Sequence, residues 1–182
     1  MTPMYQVSDH SLLPTLNTSA TLHGIPSGVS GTFSTLKLMW LLVRKGKTSL
    51  PVRQLALSLI ADLKQKDFVG EIERLHRYVR DEIRYVKDIN GVETLHDTDH
   101  ILAYKQGDCD DKSILLASLL ESIGHPARLK AIGYAPGQYC HVYVETLVGR
   151  KYIPLETTEP VEMGWEPPRE PILKMIYPPM KG

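Results

Sequence analysis

Gly107-Asp108-Cys109-Asp110-Asp111-Lys112, running into the apolar stretch Ser113 to Ile123, decides how the chain is read. Asp108 is a strong N-cap residue, and Asp111 stands three places on, in the Glu position of a capping box. Gly124 and Pro126 close the helix, Gly at its end and Pro beyond. Between them Ile114, Leu115, Leu116, Ala117, Leu119, Leu120 and Ile123 cover most of the circumference, as in a wholly buried helix. Cys109 falls on the stripe of Leu116 and Leu120, near whole turns at about 3.6 residues per turn. Its thiol is therefore expected to look inward from the N-terminal end of a core helix. The helix dipole favours an anion there, and thiolate is the reactive form of cysteine. Against this stand Asp108, Asp110 and Asp111, whose like charge opposes a thiolate. A working cysteine at this place needs a cationic partner from elsewhere; a cysteine without one is simply packed.

The chain has 182 residues, enough for one domain with a sizeable core. Its 21 basic and 21 acidic residues cancel, which argues against nucleic acid or an anionic membrane as the main partner. Aromatic residues are few, so a single-strand stacking platform is disfavoured too. Two cysteines do not make a disulfide framework. Met1-Thr2-Pro3-Met4-Tyr5 has no basic region leading into an apolar one, and the run Leu38 to Val43 is too short to span a bilayer. The expectation is a soluble protein of a reducing compartment, with no cofactor and no membrane partner.

Residues 1–32 are rich in Ser, Thr, Gly and Pro and read as an N-terminal arm. Phe33 to Val43 reads as a helix with Leu36, Met39, Trp40 and Val43 on one face, closed by Arg44-Lys45-Gly46-Lys47. Ser49 caps a second helix that carries Pro51 in its first turn and buries Leu55, Leu59 and Ile60. A third runs from Asp67 to Val86, with Ile72, Leu75, Val79 and Ile83 at helical spacing and a solvated charged face. Asp88-Ile89-Asn90-Gly91 is a turn signal. His96 and His100, four apart, have metal-ligand spacing, but no third ligand is spaced to join them, and no metal site is assigned. After the cysteine helix the period changes to that of strands, at Arg128 to Tyr134, His141 to Leu147 and Arg150 to Glu156. Residues 161–182 read as a Pro-rich C-terminal tail with enough apolar residues to pack on something. Helices followed by antiparallel strands predict an α+β domain over 33–160.

The candidate partner for Cys109 is His141, at the start of the first hairpin strand. With Val148 and Gly149 as a two-residue loop, Leu147 pairs with Arg150, and counting back in step sets His141 opposite Glu156. A carboxylate there accepts from one imidazole nitrogen and supports its charged form. Nucleophile, base and orienting acid would then be Cys109, His141 and Glu156. Val is a poor first residue for that turn, and a longer loop would make Glu156 a diagonal neighbour. Cys140 adjoins His141 and is expected to be packed and inert, its side chain on the other face of the strand.

Gly107-Asp108-Cys109-Asp110-Asp111, Gly124-His125-Pro126-Ala127-Arg128, His141-Val142-Tyr143-Val144-Glu145 and Pro154-Leu155-Glu156-Thr157-Thr158 resemble the transglutaminase-like core of the papain-like superfamily. The resemblance runs from about Ile72 to Pro160. It implies a papain-like α+β fold, a nucleophile at Cys109, a base at His141 and a third member at Glu156, where the family usually has Asp. For the oxyanion it leaves the Cys109 backbone N–H and a second donor, for which Tyr85 is the candidate. Gly31-Thr32-Phe33 and Glu159 to Trp165 are more loosely similar to small proteins of this kind from tailed phages and prophages. The implied activity is acyl transfer on an amide or peptide bond through a thioester, with hydrolysis favoured over amine cross-linking. The rival is a non-catalytic virion or assembly module on the same frame. The implied partners are a protein or peptide substrate and, through arm and tail, phage structural proteins; the implied location is cytoplasmic or virion-associated.

Overall fold

The computed structural model describes residues 28–87 and 94–179. The expected arm before residue 28 and the turn at 88–91 lie outside the described residues. Helices α1 (Gly28–Lys47), α2 (Leu50–Ile60) and α3 (Phe68–Glu82) come first. A short strand β1 (Arg84–Tyr85), helix α4 (Thr98–Tyr104) and strand β2 (Gln106–Gly107) lead into helix α5 (Cys109–Ser122). Strands β3 (Ala127–Gly133), β4 (His141–Val148), β5 (Lys151–Leu155) and β6 (Leu173–Tyr177) form an antiparallel sheet in the order β5-β4-β3-β6. The chain is an α+β domain, helices first and sheet second, as its pattern predicts.

Helix α5 is the hub. Ile114, Leu115, Leu116, Ala117, Leu119 and Leu120 are all fully buried, between α1–α4 on one side and β3 and β4 on the other. Its continuous apolar circumference is thus matched by neighbours all round. Helix α1 crosses it closely at Gly46, where a Cβ would stand 2.4 Å from Ser118 Oγ. Residues 28–32, read as arm, open α1 instead. Gly-Val-Ser-Gly-Thr has poor helix propensity, but Gly31, Leu36, Met39, Val43 and Gly46 share its buried face, and packing decides.

The hairpin register differs from the expected one. Val148 pairs with Lys151 and Leu147 with Tyr152, so the loop is Gly149–Arg150. Gly149 has φ +62°, and Arg150 is not left-handed. This is the pattern of a type II′ turn, which needs Gly first. The slide moves every cross-strand partner by two. Continued past the last pair, Val144 with Leu155, the ladder would set Thr158, not Glu156, opposite His141. A shift of two keeps residues on the same face, so Glu156 remains within diagonal reach.

The stretch from 161 on is part of the sheet. Strand β6 pairs with β3 from Leu129–Tyr177 to Gly133–Leu173. Before it, Val161 and Glu162 are held by Arg80 of α3, whose guanidinium donates to Val161 O at 2.7 Å and to Glu162 Oε1 at 3.2 Å. Glu166 then reaches back to Lys130 and accepts from Tyr143 Oη at 2.7 Å. Arg80, expected on a merely solvated face, is a strap.

Candidate active site

Asp108 caps α5, its carboxylate accepting from the backbone N–H of Asp110 at 2.9 Å and of Asp111 at 3.2 Å. That leaves the Cys109 N–H as the first-turn donor that the cap does not take. Asp111 does not close a capping box. Its carboxylate accepts from the His96 backbone N–H at 2.9 Å and meets His96 Nδ1 at 2.8 Å, tying α5 to the loop before α4. Gly107 makes room for this turn, since a Cβ there would stand 2.5 Å from Asp111 Cβ. Ser113 Oγ, one turn after Cys109, donates to Val142 O at 3.3 Å and locks the start of α5 onto the start of β4. Tyr85 pairs with Gly107 in the parallel β1–β2 ladder, two residues before the cysteine.

The Cys109 thiol is half-buried and donates to Asp110 Oδ1 at 3.4 Å. Burial, then the charges of Asp110 and Asp108, push its pKa up, and the Val142 N–H only partly offsets them. The helix-terminus advantage therefore loses, and the resting thiol is protonated.

His141 Nε2 lies 2.5 Å from Glu156 Oε2. The other oxygen, Oε1, accepts from the N–H and the Oγ1 of Thr158, each at 2.7 Å. Glu156 is 1% exposed. Burial works to raise its pKa, but the hydrogen bond and charge of His141, with the two bonds from Thr158, outweigh it and hold the carboxyl below its ordinary value. The longer Glu side chain spans the diagonal that the shifted register creates.

Cys109 and His141 line one cavity of about 260 Å³, whose lining also includes Gly28, Thr32 and Thr35 of α1. Among the described residues no hydrogen bond joins Sγ to His141. The thiol points to Asp110 and the imidazole to Glu156, which leaves Nδ1 as the nitrogen that can serve the thiol. Apo contacts of this kind commonly tighten only with substrate. Cys140 lines the same cavity and is exposed, contrary to the expectation that it is packed. It precedes β4 and so escapes the strand's alternation.

The ligand atoms of Asp108, Cys109 and Asp110 lie within 4.8 Å of one another. Asp108 is already engaged by the helix N-terminus, and Asp110 by the thiol, so the cluster is built as a cap. His96 and His100 stack with ring centroids 4.2 Å apart and planes at 13°. His96 Nδ1 is already engaged by Asp111 Oδ2 at 2.8 Å.

Two buried side chains near the site carry no signal in the sequence. Lys112 Nζ donates to Ile83 O at 2.7 Å and to Arg80 O at 3.1 Å. Burial brings its pKa down to about 8, against the pull of Glu156 and Asp81. His76, on the apolar stripe of α3, meets the backbone carbonyl of Glu156 at 2.5 Å. In sequence both look like ordinary helix positions, because what makes them polar anchors is contact with distant elements.

The model of the transglutaminase-like superfamily matches residues 53–157, more than half of the chain. The chain belongs to the transglutaminase-like superfamily. Similar solved structures include a candidate cysteine protease from Cytophaga hutchinsonii, with 15% identity, a TM-score of 0.49, and 59% of this chain and 37% of that one covered. A candidate protease from Parabacteroides distasonis gives 16%, 0.55, 68% and 26%. The calcium-bound LapG of Legionella pneumophila gives 16%, 0.51, 75% and 83%. This transglutaminase-like chain thus spans well under half of the first two, and at such identities the likeness is one of fold. Among curated proteins none matches it. No helix among the described residues is long and apolar enough to cross a membrane.

Proposed function

We propose that the protein is a cysteine-dependent acyl-transfer enzyme acting on an amide or peptide carbonyl, with Cys109 as nucleophile, His141 as base and Glu156 as the orienting acid. The observation that carries this reading is the shared cavity of Cys109 and His141, with His141 held at 2.5 Å by a buried carboxylate. The Cys109 thiol, protonated at rest, gives its proton to His141 Nδ1 as Sγ attacks the carbonyl carbon. The imidazolium so formed is stabilised by Glu156, which the site keeps ionised. The oxyanion is met by the Cys109 N–H at the start of α5; Tyr85, the expected second donor, is exposed and is not among the residues lining the cavity. His141 then returns its proton to the leaving amine, and a thioester remains on Cys109. Water, activated by the same imidazole, releases the acid. Hydrolysis is favoured over cross-linking because the site is wet: the His141 side chain is 21% exposed and Cys140 is open beside it.

The test is turnover of p-nitrophenyl acetate. Cys109→Ala and His141→Ala should abolish it, and Glu156→Gln should lower kcat by about tenfold to a hundredfold, as loss of an imidazole-orienting partner does. Turnover undiminished in Cys109→Ala would refute the reading.

A further inference from the structure

We propose that His76 is a positioning residue for the Glu156–His141 pair, a role that rests on the acyl-transfer reading above. His76 is fully buried, on the stripe of Ile72, Leu75 and Val79. Its Nε2 meets a carbonyl oxygen, which only accepts, so Nε2 carries a proton. Nδ1 is buried without a partner among the described residues. Burial holds the imidazole pKa down, which favours the neutral ring and leaves Nδ1 a bare acceptor. An apolar side chain at this place would avoid the orphaned nitrogen altogether. Among the described residues, the ring's hydrogen bond goes to the Glu156 carbonyl.

That carbonyl is where the sheet stops helping. The β4–β5 ladder ends at Val144–Leu155, and Glu156 is the first residue beyond it. Thr158 orients the carboxylate from within the same loop, and the Arg80 strap holds that loop to α3 only further on, at Val161 and Glu162. The His76 hydrogen bond ties it to α3 at Glu156 itself. The same helix, α3, receives Lys112 from the first turn of α5. One rigid element therefore references both the acid and the helix that bears the nucleophile.

The variants are His76→Gln, His76→Asn and His76→Phe. The Gln amide nitrogen reaches the place of Nε2, the Asn amide stops at the level of Nδ1, and Phe fills the volume with no donor. Two quantities are read: kcat and KM for p-nitrophenyl acetate, and the proton resonance of the His141 ring N–H bonded to Glu156, assigned by its loss in His141→Ala. Gln should leave both near wild type. Asn and Phe should lower kcat by about tenfold to a hundredfold at unchanged KM, and shift or broaden the resonance. If Phe does not fold, the Gln and Asn pair decides. A folded Asn variant with wild-type kcat and resonance overturns the proposal, as does a Gln variant that loses as much as Asn. If the resonance moves as expected while hydrolysis is indifferent to Cys109→Ala, the positioning role stands and the acyl-transfer reading falls.

Discussion

Cys109 is held in check by its neighbours. Burial, Asp110 and Asp108 all favour the thiol over the thiolate, so in the proposed reaction the proton leaves as Sγ attacks rather than before. Asp110→Asn keeps the shape and removes one charge. It should raise the rate of iodoacetamide alkylation at Cys109 by about tenfold at pH 7, since each unit of thiol pKa is a factor of ten in thiolate. In the unchanged protein exposed Cys140 should react first; peptide mass, site by site, reads both. Glu156 carries a pH signature of its own. Its folded pKa is depressed below the ordinary value of 4.5, so it contributes stability that is fully present above that pH. The contribution is lost as pH falls through the folded pKa. Thermal melts between pH 6 and pH 3 should therefore show the wild type losing more stability than Glu156→Gln.

Among the elements, α5 and α1 pack tightly at the Gly46–Ser118 crossing. Gly46→Ala drives a methyl into Ser118 and Thr98, and should cost about 1–3 kcal/mol, read as a lower melting temperature. Helix α5 was legible because its punctuation is local: an Asp cap, an apolar run, a Gly stop. The hairpin was legible as a hairpin but not in register, because turn chemistry outranks the count, and Gly149 had to take the left-handed position. His141 and Glu156 still meet despite the changed register, because a slip of two preserves the face. His76, Lys112 and the Asp111–His96 tie were not legible, since each polar group is satisfied by an element far away in the chain. Strand β6 was hidden for the same reason: Pro-rich flanks suggest a tail, and only β3 makes it a strand.

For the molecule as a whole, the segment beyond 160 closes the sheet and neutralises its buried charges. Lys130, Glu145 and Arg128 form a nearly buried set, with Glu166 completing it from the C-terminal stretch. A chain ending at 160 would bare the β3 edge and remove Glu166 and the Arg80 strap. It should melt well below the full chain and aggregate, as exposed edges do; light scattering during a thermal melt checks this. The proposed site sets Cys109 and His141 on one small cavity, and the most direct measurement asks for the covalent intermediate. The protein is mixed with p-nitrophenyl acetate, quenched in acid within the first turnover, and its peptides weighed. The predicted result is an acetyl thioester on the peptide bearing Cys109, absent from His141→Ala and unaffected by Cys140→Ser. An adduct on Cys140 alone, or equal labelling of Cys109 with and without His141, would contradict the account.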